Sequence, residues 1–226
     1  QPAVRTLQVQ ESYFSRKLQQ IEEMRRNGAD VNNLGIGSPD LPPSHEVTET
    51  LHQQALNPKN HGYQSYIGIP ELRAAFARWY QQYFRVTLDP AGEILPLIGS
   101  KEGIMHITMA FVNEGEEVLI PNPGYPAYES VARLVGARVR YYDLTESQGW
   151  LPDLGRLEAE GLEKVKLMWV NYPHMPTGTP ASAALFGNLV AFARKHRILL
   201  CNDNPYSFIL NTDTRSILET EGSREV

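Results

Sequence analysis

Val165-Lys-Leu-Met-Trp-Val170, the loop Asn171-Tyr-Pro-His-Met-Pro-Thr-Gly178, the run from Ala181 to His196, and then Ile198-Leu-Leu-Cys201 form the stretch that decides the fold. The first six residues are almost wholly apolar, which reads as a strand covered on both faces. Ala181 to His196 reads as a helix. Ile198 to Cys201 is short and apolar again, a second strand, and it runs straight into Asn202-Asp-Asn-Pro-Tyr206. Strand, helix and strand in that order make the crossover unit of a parallel sheet.

The alternation continues toward the N-terminus. Ile94 to Ile98 reads as a strand, Lys101 to Val112 as a helix, Glu117 to Ile120 as a strand, Tyr125 to Val135 as a helix and Arg138 to Tyr142 as a strand. The fold class is therefore α/β, a largely parallel sheet with flanking helices. Ahead of it, residues 1 to about 27 form a mostly polar, helical arm. Val31 to Ile36 is a short apolar segment leading into Gly37-Ser-Pro-Asp-Leu-Pro-Pro43, where glycine and proline force an extended or turning path. Ser44 is placed to cap a helix from Glu46 to about Leu56. After a glycine- and tyrosine-containing loop, Pro70-Glu-Leu-Arg73 opens a helix reaching about Phe84, with proline and an acid in its first turn.

Composition sets outer limits. The 226 residues allow one substantial domain, or one domain and an arm. Hydrophobic residues at 42% and charged residues at 21% fit a soluble globular protein. A net charge of -5 gives no electrostatic reason to expect nucleic acid or an anionic membrane as partner. The single cysteine, Cys201, excludes an intrachain disulfide and fits a reducing compartment, so the expected location is the cytoplasm. No stretch reaches transmembrane length and no signal-peptide pattern opens the chain. A start at Gln1 without methionine reads as a trimmed or partial chain.

Ligands of parallel sheets gather beyond the carboxyl ends of the strands. Gly99-Ser-Lys-Glu-Gly103 follows the first predicted strand and starts a helix. Its free N–H groups, with the Ser100 hydroxyl and the Lys101 ammonium, make an anion site, or else an ordinary turn with a solvated lysine. The segment Pro121-Asn-Pro-Gly-Tyr-Pro-Ala-Tyr128 is a rigid loop that places Tyr125 either over an aromatic ligand or against the next helix. Asp203 directly follows apolar residues, where a carboxylate needs a partner; the alternative is a helix cap or an Asx turn before Pro205.

Taken in order, Tyr63-Gln-Ser-Tyr-Ile-Gly-Ile-Pro-Glu-Leu-Arg73, the Pro121–Tyr128 loop, Pro176-Thr-Gly178 and Asp203-Asn-Pro-Tyr206 resemble the landmarks of fold-type-I pyridoxal-phosphate enzymes of the class I/II aminotransferases. The resemblance spans about residues 30 to 226. It implies pyridoxal 5'-phosphate as cofactor and transamination between an amino acid and a 2-oxo acid, as in an aspartate-aminotransferase-like enzyme. It implies that Ser100 and Lys101 hold the cofactor phosphate, that Tyr125 stacks on the pyridine ring, that Asp203 pairs with the ring nitrogen and that Tyr206 reaches the phenolic oxygen. Gly37 would line the substrate carboxylate pocket. Tyr63 would reach the phosphate in the neighbouring subunit, which implies a homodimer. The implied domains are residues 1–45, an arm belonging to a small domain, and residues 46–226, an incomplete large cofactor-binding domain. Other chemistry of the same fold, such as β-elimination, or a non-catalytic ligand-binding domain, stands as the alternative.

Two positions depart from the pattern. Met175 stands where the family has an asparagine that donates to the phenolic oxygen, and a thioether cannot donate. Asn171, His174 or water is expected to take over part of that role. The second departure is the Schiff-base lysine, implied a few tens of residues beyond Asp203. The segment Asn211 to Val226 contains no lysine. Lys59, Lys164, Lys166 and Lys195 lie in other contexts, so the catalytic residue is left unassigned and the chain by itself is expected to be inactive.

Overall fold

The computed structural model describes residues 1–8, 13–35, 37 and 40–226. They divide into two units, Gln10–Tyr66 on one hand and Gln1–Val9 with Ile67–Val226 on the other. Within the first unit lie α1 (Tyr13–Arg26) and α2 (His45–Leu56). Ser44 caps α2 as its position suggested, its hydroxyl accepting from the Val47 N–H at 3.4 Å. Residues 31–35 form no regular element, and Ile36, Ser38 and Pro39 lie outside the described residues.

The larger unit opens with α3 (Pro70–Phe84), which begins on proline at its first position as expected. Its end, with Val86 and Leu88, forms a small apolar cluster that also takes in Ile94. The sheet follows: β1 (Glu117–Asn122), β2 (Arg138–Asp143), β3 (Val165–Val170) and β4 (Leu199–Asn202), all parallel, in the order β2-β1-β3-β4. Each strand is joined to the next through helices, α5 (Pro126–Leu134), α6 (Leu154–Ala159) and α7 (Ala183–His196). Parallel neighbours require such crossovers.

Alternation along the strands sorts two cores. Val118 and Ile120 of β1 and Leu167 and Trp169 of β3 pack with Ile104 and Val112 from the region of α4 (Ser100–Phe111) and with Tyr128 and Ala132 of α5. Leu119, Met168 and Val170 point the other way, onto Leu157 of α6 and Leu185, Phe186 and Leu189 of α7. Both faces are thus covered, which is why β3 reads as a continuous apolar run. Among the described residues no helix is long and apolar enough to cross a membrane.

One predicted element is absent: Ile94 to Ile98 is not a strand. Its groups are engaged locally instead of in a ladder. Ile94 packs into the cluster at the end of α3. Leu97 lies over Gly103 so closely that a Cβ there would stand 2.6 Å from its Cδ1. The Ile98 N–H donates to the Glu102 carboxylate at 2.7 Å, in the first turn of α4. The run is largely apolar, but a strand also requires a neighbour to pair with.

Candidate functional site

The carboxyl ends of β1, β3 and β4 converge on Asp203. The Asp203 N–H donates to the carbonyl of Val170 at 2.9 Å, continuing the β3–β4 pairing one residue past β4. The next residue of the β3 side, Asn171, is buried. Its side-chain Nδ2 donates to the carbonyl of Asp203 at 2.6 Å, and its Oδ1 accepts from the Met175 N–H at 2.8 Å. One amide therefore ties the loop after β3 to the loop after β4. Asn202 adds a second tie, its Oδ1 accepting from the Tyr172 N–H at 3.2 Å.

The Asp203 side chain is held from the β1 side. The loop after β1 turns sharply at Gly124, where a Cβ would stand 2.4 Å from the carbonyl oxygen of Pro121, so only glycine fits. Tyr125 follows as the residue capping α5. One turn on, Tyr128 is wholly buried, and its hydroxyl donates to Asp203 Oδ2 at 2.8 Å. The Tyr128 ring lies parallel to Trp169, with centroids 5.0 Å apart and planes 3° from parallel, and meets the Tyr125 ring edge-on at 5.5 Å. Among the described residues no donor reaches the other carboxylate oxygen of Asp203.

Burial pushes the Asp203 carboxyl above the usual carboxylate range, and the Tyr128 hydrogen bond pulls the other way without cancelling it. Burial, and then the charge of Asp203, push the Tyr128 phenol far above its ordinary value. The shared proton stays on the phenol. Burial also holds the His174 imidazole below the usual histidine range; its Nδ1 lies 2.8 Å from the Thr177 hydroxyl. The Cys201 thiol is pushed up to about 12 by burial, which makes it an inert packing residue.

The structure brings together Tyr125, Asn171, Met175 and Asp203 from the set singled out in the sequence. Ser100 and Lys101 lie at the start of α4, exposed, with Gly99 ahead of them making no side-chain cap. The first N–H groups of a helix have no partner inside it, so this end can receive an anion. The helix packs on the same sheet face as Tyr128. Tyr206 stands in the loop after Asp203, partly exposed. Tyr63 and Gly37 belong to the other unit; both are exposed, and the Tyr63 hydroxyl lies 3.2 Å from that of Tyr66. Lys166 pairs with Glu116 at 3.6 Å and Lys195 with Glu158 at 2.9 Å. Sequence reading gave Tyr128 and Trp169 no role. Their only signal is spacing, since Tyr128 is one helical turn from Tyr125 and Trp169 alternates with Leu167 toward the same face.

Residues 29–222 match the family model described as aminotransferase class I and II. The chain belongs to that family. Its members are pyridoxal-phosphate enzymes. The chain is 41% identical over 215 residues to the LL-diaminopimelate aminotransferase of Moorella thermoacetica and 44% identical over 215 residues to that of Desulforudis audaxviator. Each alignment covers 94% of this chain and 55% of the relative, so the chain spans about half the length of the curated aminotransferases it matches. Among solved structures it resembles apo-BacF from Bacillus subtilis, with TM-score 0.93 and 36% identity, over 100% of this chain and 58% of that one. It also resembles a probable N-succinyldiaminopimelate aminotransferase from Thermus thermophilus, with TM-score 0.86 and 32% identity, over 95% of this chain and 58% of the other.

Proposed function

We propose that this chain carries the cofactor-holding part of a pyridoxal-phosphate-dependent aminotransferase that moves an amino group between an amino acid and a 2-oxo acid. The observation that carries the reading is the Asp203 carboxylate. It is fixed just past the end of β4, its pKa is raised by burial, and among the described residues it is satisfied on one oxygen only. A protonated ring nitrogen fits the remaining oxygen, because pairing relieves the desolvated charge.

When bound, pyridoxal phosphate supplies an electron sink for the carbanion at the substrate's α-carbon. In this reading Asp203 keeps the ring nitrogen protonated, Tyr125 packs on the ring, and Ser100 and Lys101 bind the phosphate at the start of α4. Tyr206 and Met175 border the phenolic oxygen, and Asn171 holds the loop that carries Met175. Gly37 lines the substrate carboxylate pocket. Tyr63 reaches the phosphate of a second subunit in a cytoplasmic homodimer. Residues 1–45 belong to a small domain, and residues 46–226 to the large one. The relatives' name makes LL-diaminopimelate the first amino donor to assay.

The test is titration of pyridoxal phosphate and of pyridoxal into the chain, followed by cofactor absorbance, with Lys101→Met and Asp203→Asn alongside. The reading expects Lys101→Met to weaken the phosphorylated ligand about tenfold while leaving pyridoxal unchanged. It expects Asp203→Asn to weaken both. Equal binding by all three proteins would overturn it.

A further inference from the structure

We infer that Tyr128 is a positioning residue of this site: its phenol orients the Asp203 carboxylate so that one oxygen is left for the ring nitrogen of pyridoxal phosphate. The inference rests on the proposed pairing of Asp203 with that nitrogen.

Three independent holds converge here. The main chain of Asp203 is fixed on both sides, its N–H by Val170 at 2.9 Å and its carbonyl by Asn171 at 2.6 Å. That leaves the side-chain torsions of the aspartate free, and Tyr128 removes this freedom by donating to Oδ2 at 2.8 Å. The phenol itself has no latitude. Its ring is buried, stacked on Trp169 at 5.0 Å and met edge-on by Tyr125 at 5.5 Å. Offset or parallel contact on one face and edge contact on another fix a ring in both position and plane.

A packing role alone does not account for this residue. Phenylalanine would fill the same space, and a buried hydroxyl is costly unless it is paired. The pair it makes is with the half-buried carboxylate that follows β4. Because the phenol keeps its proton, it acts as a permanent donor and occupies one oxygen at all times. The same ring touches Tyr125, the residue proposed to pack on the cofactor. Tyr128 therefore sets the aspartate and the stacking tyrosine relative to one another.

Tyr128→Phe keeps the ring and its stack and removes only the donor. The Asp203 carboxyl resonance, followed by 13C NMR against pH, is expected to titrate at higher pH in this variant. Affinity for pyridoxal phosphate is expected to fall about tenfold, the usual scale for a hydrogen bond to a charged group. In the Asp203→Asn background the same change is expected to alter affinity less than about twofold, because the phenol acts through the carboxylate. Replacing Tyr128 with 3-fluorotyrosine, a stronger donor of nearly the same shape, is expected to move the Asp203 titration the opposite way, and it serves if the phenylalanine variant folds poorly. An Asp203 titration unmoved by either replacement overturns the inference and reduces Tyr128 to core packing. A titration that moves while Asp203→Asn binds the cofactor as tightly as the parent overturns the pairing with the ring nitrogen instead.

Discussion

The side-chain amide of Asn171 donates to the main-chain carbonyl of Asp203 at 2.6 Å while its own carbonyl oxygen receives the Met175 N–H at 2.8 Å. Two loops from two strands are thus held by one buried side chain. Asn171→Ala leaves a carbonyl and an N–H without their partner, at a cost of about 1–3 kcal/mol each if they stay dry. Asn171→Asp is expected to be worse than the loss of one bond, because it sets a carboxylate against the Asp203 carbonyl. Urea denaturation of both variants measures this, and midpoints equal to the parent's would show the amide to be dispensable.

Asp203 makes stability depend on pH. Burial raises its carboxyl above the ordinary value, so the folded chain holds that proton more tightly than the unfolded chain. Its contribution is fully present below the ordinary carboxylate value and is lost as pH rises through the raised one. Asp203→Asn has no charge to bury. Without pyridoxal phosphate, the stability of this variant relative to the parent is expected to increase from acid toward neutral pH and then level off. Denaturation curves across that range check the sign.

Gly124 and Gly37 offer a matched contrast. A Cβ at Gly124 meets the Pro121 carbonyl oxygen at 2.4 Å, whereas one at Gly37 meets nothing within 4 Å. Gly124→Ala must open the turn before Tyr125 and is expected to cost about 1–3 kcal/mol, with weaker cofactor binding as Tyr125 shifts. Gly37→Ala is expected to leave stability within about 0.5 kcal/mol. Thermal unfolding of the two variants decides this.

Met175 carries a half-buried side chain on a backbone already tied to Asn171. Met175→Asn leaves that tie in place and adds a donor. Stability is expected to change by less than about 0.5 kcal/mol, while pyridoxal phosphate binds about fivefold tighter, the yield of one ordinary hydrogen bond. A calorimetric titration with unchanged affinity would argue that position 175 does not reach the phenolic oxygen.

Local pattern was enough for β1 to β4, because β1, β3 and β4 are largely apolar runs ended by turn residues and a helix separates each strand from the next. It was not enough for Ile94 to Ile98, where Ile94 packs at the end of α3 and Leu97 against Gly103 of α4 while Leu95 and Ile98 stay exposed. It also passed over α6, a helix of six residues, although Asp153 caps it. At the site, Tyr125 and Asp203 were legible because proline and glycine mark their loops. Tyr128 was not, since a tyrosine on the inner face of a helix carries the same signature whether it only packs or also donates. Asn171 was legible as a polar residue at a strand end, but its partners are separated from it by up to 32 positions, a distance no local pattern spans.

The stack of Trp169 on Tyr128 gives the molecule an optical reporter. Trp79 and Trp150 remain partly exposed, whereas Trp169 is enclosed, one ring away from Asp203. Its emission is expected to be that of an enclosed indole, and a pyridoxal ring paired with Asp203 as proposed would absorb where indoles emit. Filling of the site is therefore expected to be readable as dimming of the native tryptophan emission, with no label attached and no turnover required.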